Sequence, residues 1–154
     1  MSGWIVDTNV LSELRKGARC KEAVKAWAEA THPHSLFLSR ISVAEIRYGI
    51  EETSDQQFRQ ELTLWLETNL LQWFSGRILE VDEAVLVAWR RMVEKGRKSG
   101  HTYSQPDLFI AATASIHSLG VATRNVDDFK RAGAAVVNPW VNEPPAAEKS
   151  GGGH

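Results

Sequence analysis

Short apolar runs alternate along the chain with longer segments of helical periodicity. Trp4-Ile5-Val6, Leu36-Phe37-Leu38, Ile78-Leu79-Glu80-Val81, Gly120-Val121-Ala122-Thr123 and Ala135-Val136-Val137 have the length of strands. Near-continuous apolar strands suit a parallel sheet covered on both faces. Between them, apolar residues recur at helical intervals. Val24, Trp27 and Ala28 share a face over residues 21–30. Val43, Ile46, Arg47 and Ile50 follow the same spacing over residues 42–50, and Phe58, Leu62, Trp65, Leu66 and Leu70 form a stripe over residues 55–71. Asp82 reads as the N-cap of a helix carrying Val85, Trp89, Met92 and Val93, which Gly96 would close. Residues 97–105 read as a loop. Pro106 then opens a helix that runs through Ser118 and that Gly120 terminates. This alternation predicts an α/β fold with a five-stranded, mainly parallel sheet flanked by helices, an α/β/α sandwich.

Composition narrows the class without naming a function. The 154 residues are 43% hydrophobic and 24% charged, enough for one self-sufficient core. Eighteen basic against nineteen acidic residues leave a net charge of -1, so a nucleic-acid role would have to rest on local patches. The single cysteine, Cys20, excludes an internal disulfide framework and a cysteine-based zinc site. The opening residues lack the basic and apolar regions of a secretory signal. No apolar run approaches the ~18 residues of a membrane helix. The expectation is a cytoplasmic protein without a membrane span. Its domain covers residues 1–142 and is followed by a disordered tail over residues 143–154. The closing Gly151-Gly152-Gly153-His154 has the composition of an expression remnant.

Four acids flank the predicted strands at one edge. Asp7 follows the first strand, Glu45 lies early in the helix after the second, Asp107 opens the helix before the fourth, and Asp128 lies just past the fourth. Ligands of open parallel sheets bind beyond the carboxyl ends of the strands. Carboxylates gathered there either raise each other's pKa or hold divalent cations. An all-oxygen donor set selects a hard ion, Mg²⁺ or Mn²⁺, and such ions serve phosphate chemistry. Each acid also has a plain structural reading. Asp7 can cap a helix, Ser42-Val43-Ala44-Glu45 matches a capping box, Asp107 complements a helix dipole, and Asp127 competes with Asp128.

The motifs carrying these acids resemble those of PIN-domain ribonuclease toxins of the VapC type, and most of all the FitB-like branch. Ile5-Val6-Asp7-Thr8-Asn9-Val10-Leu11-Ser12-Glu13-Leu14 is similar to the opening motif. Ser39 to Ile50 resembles the second, around Glu45. Pro106 to Ala114 resembles the third, around Asp107. Ala122 to Phe129 resembles the fourth. The likeness spans about residues 3–140, with the motifs in family order. It implies a PIN domain that hydrolyses RNA phosphodiesters by metal-activated water, as the toxin of a type II toxin-antitoxin pair. It implies Mg²⁺ as the cofactor, with Mn²⁺ able to substitute. By motif position, Asp7, Glu45, Asp107 and Asp128 become catalytic and metal-binding, with Asn125 and Asp127 as rivals for the fourth place. Thr8, Thr123 and Asn125 become the groups that orient those carboxylates. The implied partners are an RNA substrate, a VapB- or FitA-like antitoxin and a second copy of the chain, in a dimer or a higher assembly. Operator DNA would be met only through the antitoxin.

Arg15, Arg47 and Arg124 are the candidate phosphate contacts, since each lies near a motif. The runs Arg90 to Lys98 and His32-Pro33-His34 read as solvated surface, and the loop Gly100-His101-Thr102-Tyr103 is assigned no role. Trp73 and Trp140 read as core or interface residues, with base stacking the alternative. Two functions compete with the nuclease. One is another metal-dependent phosphoesterase, although a haloacid-dehalogenase-type enzyme would need an acid where Asn9 stands. The other is a PIN-fold binding module without catalysis.

Overall fold

A computed structural model describes residues 3–141; the tail expected over residues 143–154 lies outside them. Strands β1 (Trp4–Val6), β2 (Leu36–Ser39), β3 (Ile78–Leu79), β4 (Gly120–Ala122) and β5 (Val136–Val137) form one sheet in the order β3-β2-β1-β4-β5. Every pairing is parallel, so the expectation of a mainly parallel sheet is sharpened to a wholly parallel one. β1 is central because both its faces are apolar. Val6 packs with Val10, Leu11, Val24, Leu38 and Leu66 on one side, and Ile5 with Ile110, Ala114, Val121 and Phe129 on the other. Ile5 and Val6 are 0% and 1% exposed. Burying such side chains stabilises the fold by about 1.5–3 kcal/mol each.

Strand order reverses on the two sides of β1. The chain goes from β1 outward through β2 to β3, then returns to pair β4 on β1's other edge. A crevice opens at such a switch point, at the carboxyl ends of the two strands. Here those ends are Val6 and Ala122, which are in register, so Asp7 and Thr123 leave the sheet side by side.

The helices follow the apolar stripes, with informative shifts at their ends. They are α1 (Thr8–Leu14), α2 (Glu22–Ala30), α3 (Arg40–Glu51), α4 (Gln56–Leu64), the short α5 (Leu71–Trp73), α6 (Glu83–Lys98), α7 (Gln105–His117) and α8 (Val126–Arg131). Residues Trp65–Leu70 between α4 and α5 form a π-helical segment. It interrupts the single helix expected over residues 55–71 and turns Leu66 and Leu70 into the core, while Phe58 stays 39% exposed.

The capping-box reading of Ser42 and Glu45 is corrected. α3 begins at Arg40, and its N-cap is Ser39, whose hydroxyl accepts from the Ile41 N–H at 3.1 Å. Ser42 therefore lies inside the helix and is buried, and Glu45 has no capping duty. Gly96 does not close α6, which continues to Lys98. The loop expected over residues 97–105 is shorter accordingly. Nor does Gly120 end α7. Ser118 takes the left-handed conformation at φ 57°, and the Leu119 N–H returns to the Ala114 carbonyl at 2.9 Å, a Schellman-type close. Among the described residues, no helix is long and apolar enough to cross a membrane.

Candidate active site

Asp7 is the N-cap of α1, and its Oδ1 accepts the Thr8 N–H at 2.8 Å. The capping role and a role in a site thus coexist in one carboxylate. Oδ2 accepts the Thr123 hydroxyl at 2.8 Å and the Asn9 side-chain amide at 3.3 Å. Asp7 is 5% exposed and Thr123 fully buried. Parallel register makes this possible, because the Asp7 N–H itself continues the ladder to the Ala122 carbonyl at 2.9 Å.

Asp107 enters from the other side of the crevice. Ser104 precedes α7 as its N-cap and Pro106 lies in its first turn, which places Asp107 there too. Asn125 Nδ2 donates to Asp107 Oδ2 at 2.7 Å and approaches Asp128 Oδ2 at 3.5 Å. The Asn125 backbone N–H donates to the Thr123 hydroxyl oxygen at 2.9 Å. One polar network therefore joins Asp7, Thr123, Asn125, Asp107 and Asp128. Asp127 is exposed, and Asp128 is the neighbour that turns toward Asn125.

Asp7, Glu45 and Asp107 line a common open cleft of about 310 Å³, together with Thr8, Asn9, Ile41, Ser104 and Asn125. Glu45 stands exposed on its rim. Burial raises the Asp7 carboxyl above its ordinary value, against the opposing hydrogen bonds from Thr123 and Thr8. Asp107 is pushed up to about 6, first by burial and then by the charges of Asp7 and Asp128, with the Asn125 hydrogen bond opposing. Neither Asp7 nor Asp107 has a Lys or Arg partner among the described ion pairs.

Uncompensated carboxylates at one cleft fit a hard divalent cation. Among the described residues, no three His, Cys, Asp or Glu side chains are gathered closely enough to hold a metal ion by themselves. An ion that keeps several of its waters needs only one or two carboxylates from the protein.

The three arginines expected to contact phosphates lie in different settings. Arg47 is engaged by Glu67 at 2.8 Å. Arg15 lies over the Phe58 ring at 5.5 Å. Arg124 directly precedes Asn125, and its guanidinium lies over Trp140 at 4.9 Å. Asn9 and His101 were missed as members of the site. Asn9 bridges Asp7 and Thr123, and its Oδ1 accepts the Arg124 N–H at 3.3 Å. Its place two residues after Asp7 on a helix's first turn was the available signal. His101 comes from the loop between α6 and α7 and lies against Asp128.

These features define a PIN-type site at the switch point of a parallel sheet. Residues 4–135 match the PIN domain family, and the chain belongs to it. VapC ribonuclease Y4jK of Sinorhizobium fredii is 37% identical over 136 residues, 88% of this chain and 96% of that protein. Toxin FitB of Neisseria gonorrhoeae is 38% identical over 136 residues, 88% of this chain and 97% of that protein. A solved structure of FitAB bound to an IR36 DNA fragment aligns with a TM-score of 0.83 and 36% identity, over 91% of this chain and 97% of that one.

Proposed function

We propose that this chain is a divalent-metal-dependent endoribonuclease and the toxin of a type II toxin-antitoxin pair. The observation that carries the reading is the uncompensated pair Asp7 and Asp107 on one cleft. It occurs in a chain whose relatives include a named VapC ribonuclease and a named toxin. Asp7 and Asp107 hold Mg²⁺ or Mn²⁺, with Glu45 and Asp128 completing the acidic shell. The ion supplies Lewis-acid chemistry when bound, neutralising charge on phosphoryl oxygens and easing ionisation of water.

The chain's own residues do the rest. Thr8 and Thr123 fix both oxygens of Asp7, so its orientation is set before any ligand arrives. Asn125 does the same for Asp107. Glu45, exposed on the rim, either binds the ion through a water or helps take the proton of the attacking water. Arg124, beside the network, offers charge to a phosphate, while Arg15 and Arg47 are more remote contributors. The FitAB complex on DNA supports a FitA- or VapB-like antitoxin as partner, with operator DNA reached through it. Self-association as a dimer belongs to the same reading.

The test is cleavage of total RNA by antitoxin-free protein with Mg²⁺, with Mn²⁺ and with chelator. Discrete cuts bearing 5′-phosphate and 3′-hydroxyl ends, abolished by chelator, are expected. Ends carrying a 2′,3′-cyclic phosphate would overturn the water-attack chemistry. Absence of cutting by folded, metal-binding protein would favour a different phosphoesterase, and absence of both cutting and metal binding a binding module.

A further inference from the structure

His101 belongs to the loop between α6 and α7, yet it lies against the acidic network. Its Nε2 is 3.5 Å from Asp128 Oδ1. That contact does not make a hydrogen bond, and Nε2, shut off from solvent, has no other hydrogen-bond partner. A buried polar atom left this way carries a cost that a small adjustment toward its neighbour would relieve. Asp128 is similarly half-held, with Asn125 Nδ2 at 3.5 Å from its other oxygen. The carboxylate thus sits between two donors, each at the limit of bonding distance.

The loop is built to keep His101 there. The His101 N–H donates to the Gly96 carbonyl at 2.8 Å. Its ring meets Tyr103 edge to face at 4.4 Å between centroids. Gly96 is buried inside α6, where glycine costs about 1 kcal/mol relative to alanine. Space explains it, because a Cβ at Gly96 would stand 2.8 Å from the Tyr103 ring and 2.9 Å from the His101 carbonyl oxygen. The helix is weakened locally so that the loop can fold down onto it and hold the imidazole at Asp128.

We infer that His101 is a positioning residue that orients Asp128 through Nε2–H donation and so completes the acidic shell on its fourth side. The inference rests on the metal-dependent nuclease reading and adds to it a residue from outside the four motifs.

The experiment compares wild type with His101→Phe, His101→Gln and His101→Asn. Phenylalanine keeps the ring against Tyr103 and removes the donor. Glutamine restores an N–H donor near the place of Nε2, and asparagine ends too short to reach it. Three quantities are read: melting temperature, the Mn²⁺ dissociation constant by calorimetry, and KM and kcat for RNA cleavage. Outer-shell partners of metal ligands are worth about 10–100-fold. His101→Phe is therefore expected to weaken Mn²⁺ binding or lower kcat by about tenfold or more, with KM unchanged and no fall in melting temperature, and His101→Asn to show the same loss of binding or kcat. His101→Gln should recover most of the loss. Wild-type behaviour in His101→Phe, or equal losses in the glutamine and asparagine variants, overturns the inference while leaving the nuclease reading standing. A wild-type protein that neither binds Mn²⁺ nor cuts RNA overturns both.

Discussion

Glu80 and Asp107 are both carboxylates near the ends of parallel strands, and the fold treats them in opposite ways. Glu80 follows β3 at the sheet's edge and meets Arg40 in a two-pronged pair, with Nη2 to Oε2 at 2.7 Å. That hydrogen bonding holds its carboxyl below the ordinary value. Glu94 is likewise lowered, by Arg97 and Arg90, and Glu13 by the Lys21 N–H and Lys16. Asp107 has only the neutral Asn125 and is pushed up to about 6, while Asp7, held by neutral hydroxyl and amide groups, is also raised. Among the described ion pairs, the exposed Glu80, the partly exposed Glu94 and the buried Glu13 each have a basic partner, while Asp7 and Asp107 at the crevice have none. On the proposed reading, the balancing charge at the crevice comes from outside, as a cation or a positively charged group of a partner.

The largest expected effect is on activity. Asp7→Asn and Asp107→Asn should each lower RNA cleavage by about 10³-fold or more, several kcal/mol of lost charge stabilisation. Glu80→Gln, equally a loss of one carboxylate, should leave the rate unchanged. A similar loss in all three would erase the distinction between the two regions. Thr123→Val removes the hydroxyl that orients Asp7. It should weaken Mn²⁺ affinity or activity by about 10–100-fold, measured by calorimetry and cleavage rate.

Stability should move the other way. In metal-free protein at pH 7.5, Asp107→Asn should stabilise by about 1–2 kcal/mol, once solvent screening of this half-exposed group is allowed for. The sign follows from linkage. A carboxyl raised in the folded state binds more protons than in the unfolded chain, so its charge penalises folding above a pH of about 6. The penalty fades as pH falls toward the ordinary value near 3.8, and the variant's advantage should vanish with it. Chemical denaturation across that window checks the trend; a gain that persists at pH 4 would contradict it. The smallest effect is at the surface. Glu80→Gln should destabilise by roughly 0.5 kcal/mol, within the range of exposed ion pairs, and less in high salt.

Much of this was legible in the chain itself, for reasons that particular residues make plain. Strands buried on both faces must be apolar throughout, so Trp4-Ile5-Val6 and Gly120-Val121-Ala122 announced themselves. Asp7 and Asp107 stood at strand and helix ends, where topology fixes position. Local spacing failed where two residues could serve one purpose. Ser39 and Ser42 are both competent caps, and only the end of β2 at Ser39 decides between them. Gly96 looked like a helix terminator because its real duty, making room for Tyr103, depends on a loop packing back in three dimensions. Arg47 looked free for phosphate because Glu67, its partner, lies 20 residues away. His101 was invisible for the same reason: nothing nearby in sequence points it at Asp128.

One measurement goes most directly to the claim that the crevice is left uncompensated for an incoming cation. Mn²⁺ is titrated into metal-free protein by calorimetry at pH 6, in two buffers of different ionisation enthalpy. With Asp107 half-protonated near that pH, binding should release about half a proton. The release should fall toward zero at pH 8 and shrink in Asp107→Asn, where the raised Asp7 carboxyl is the remaining source. Absence of binding, or binding with the same proton release at both pH values and in the variant, would contradict the account.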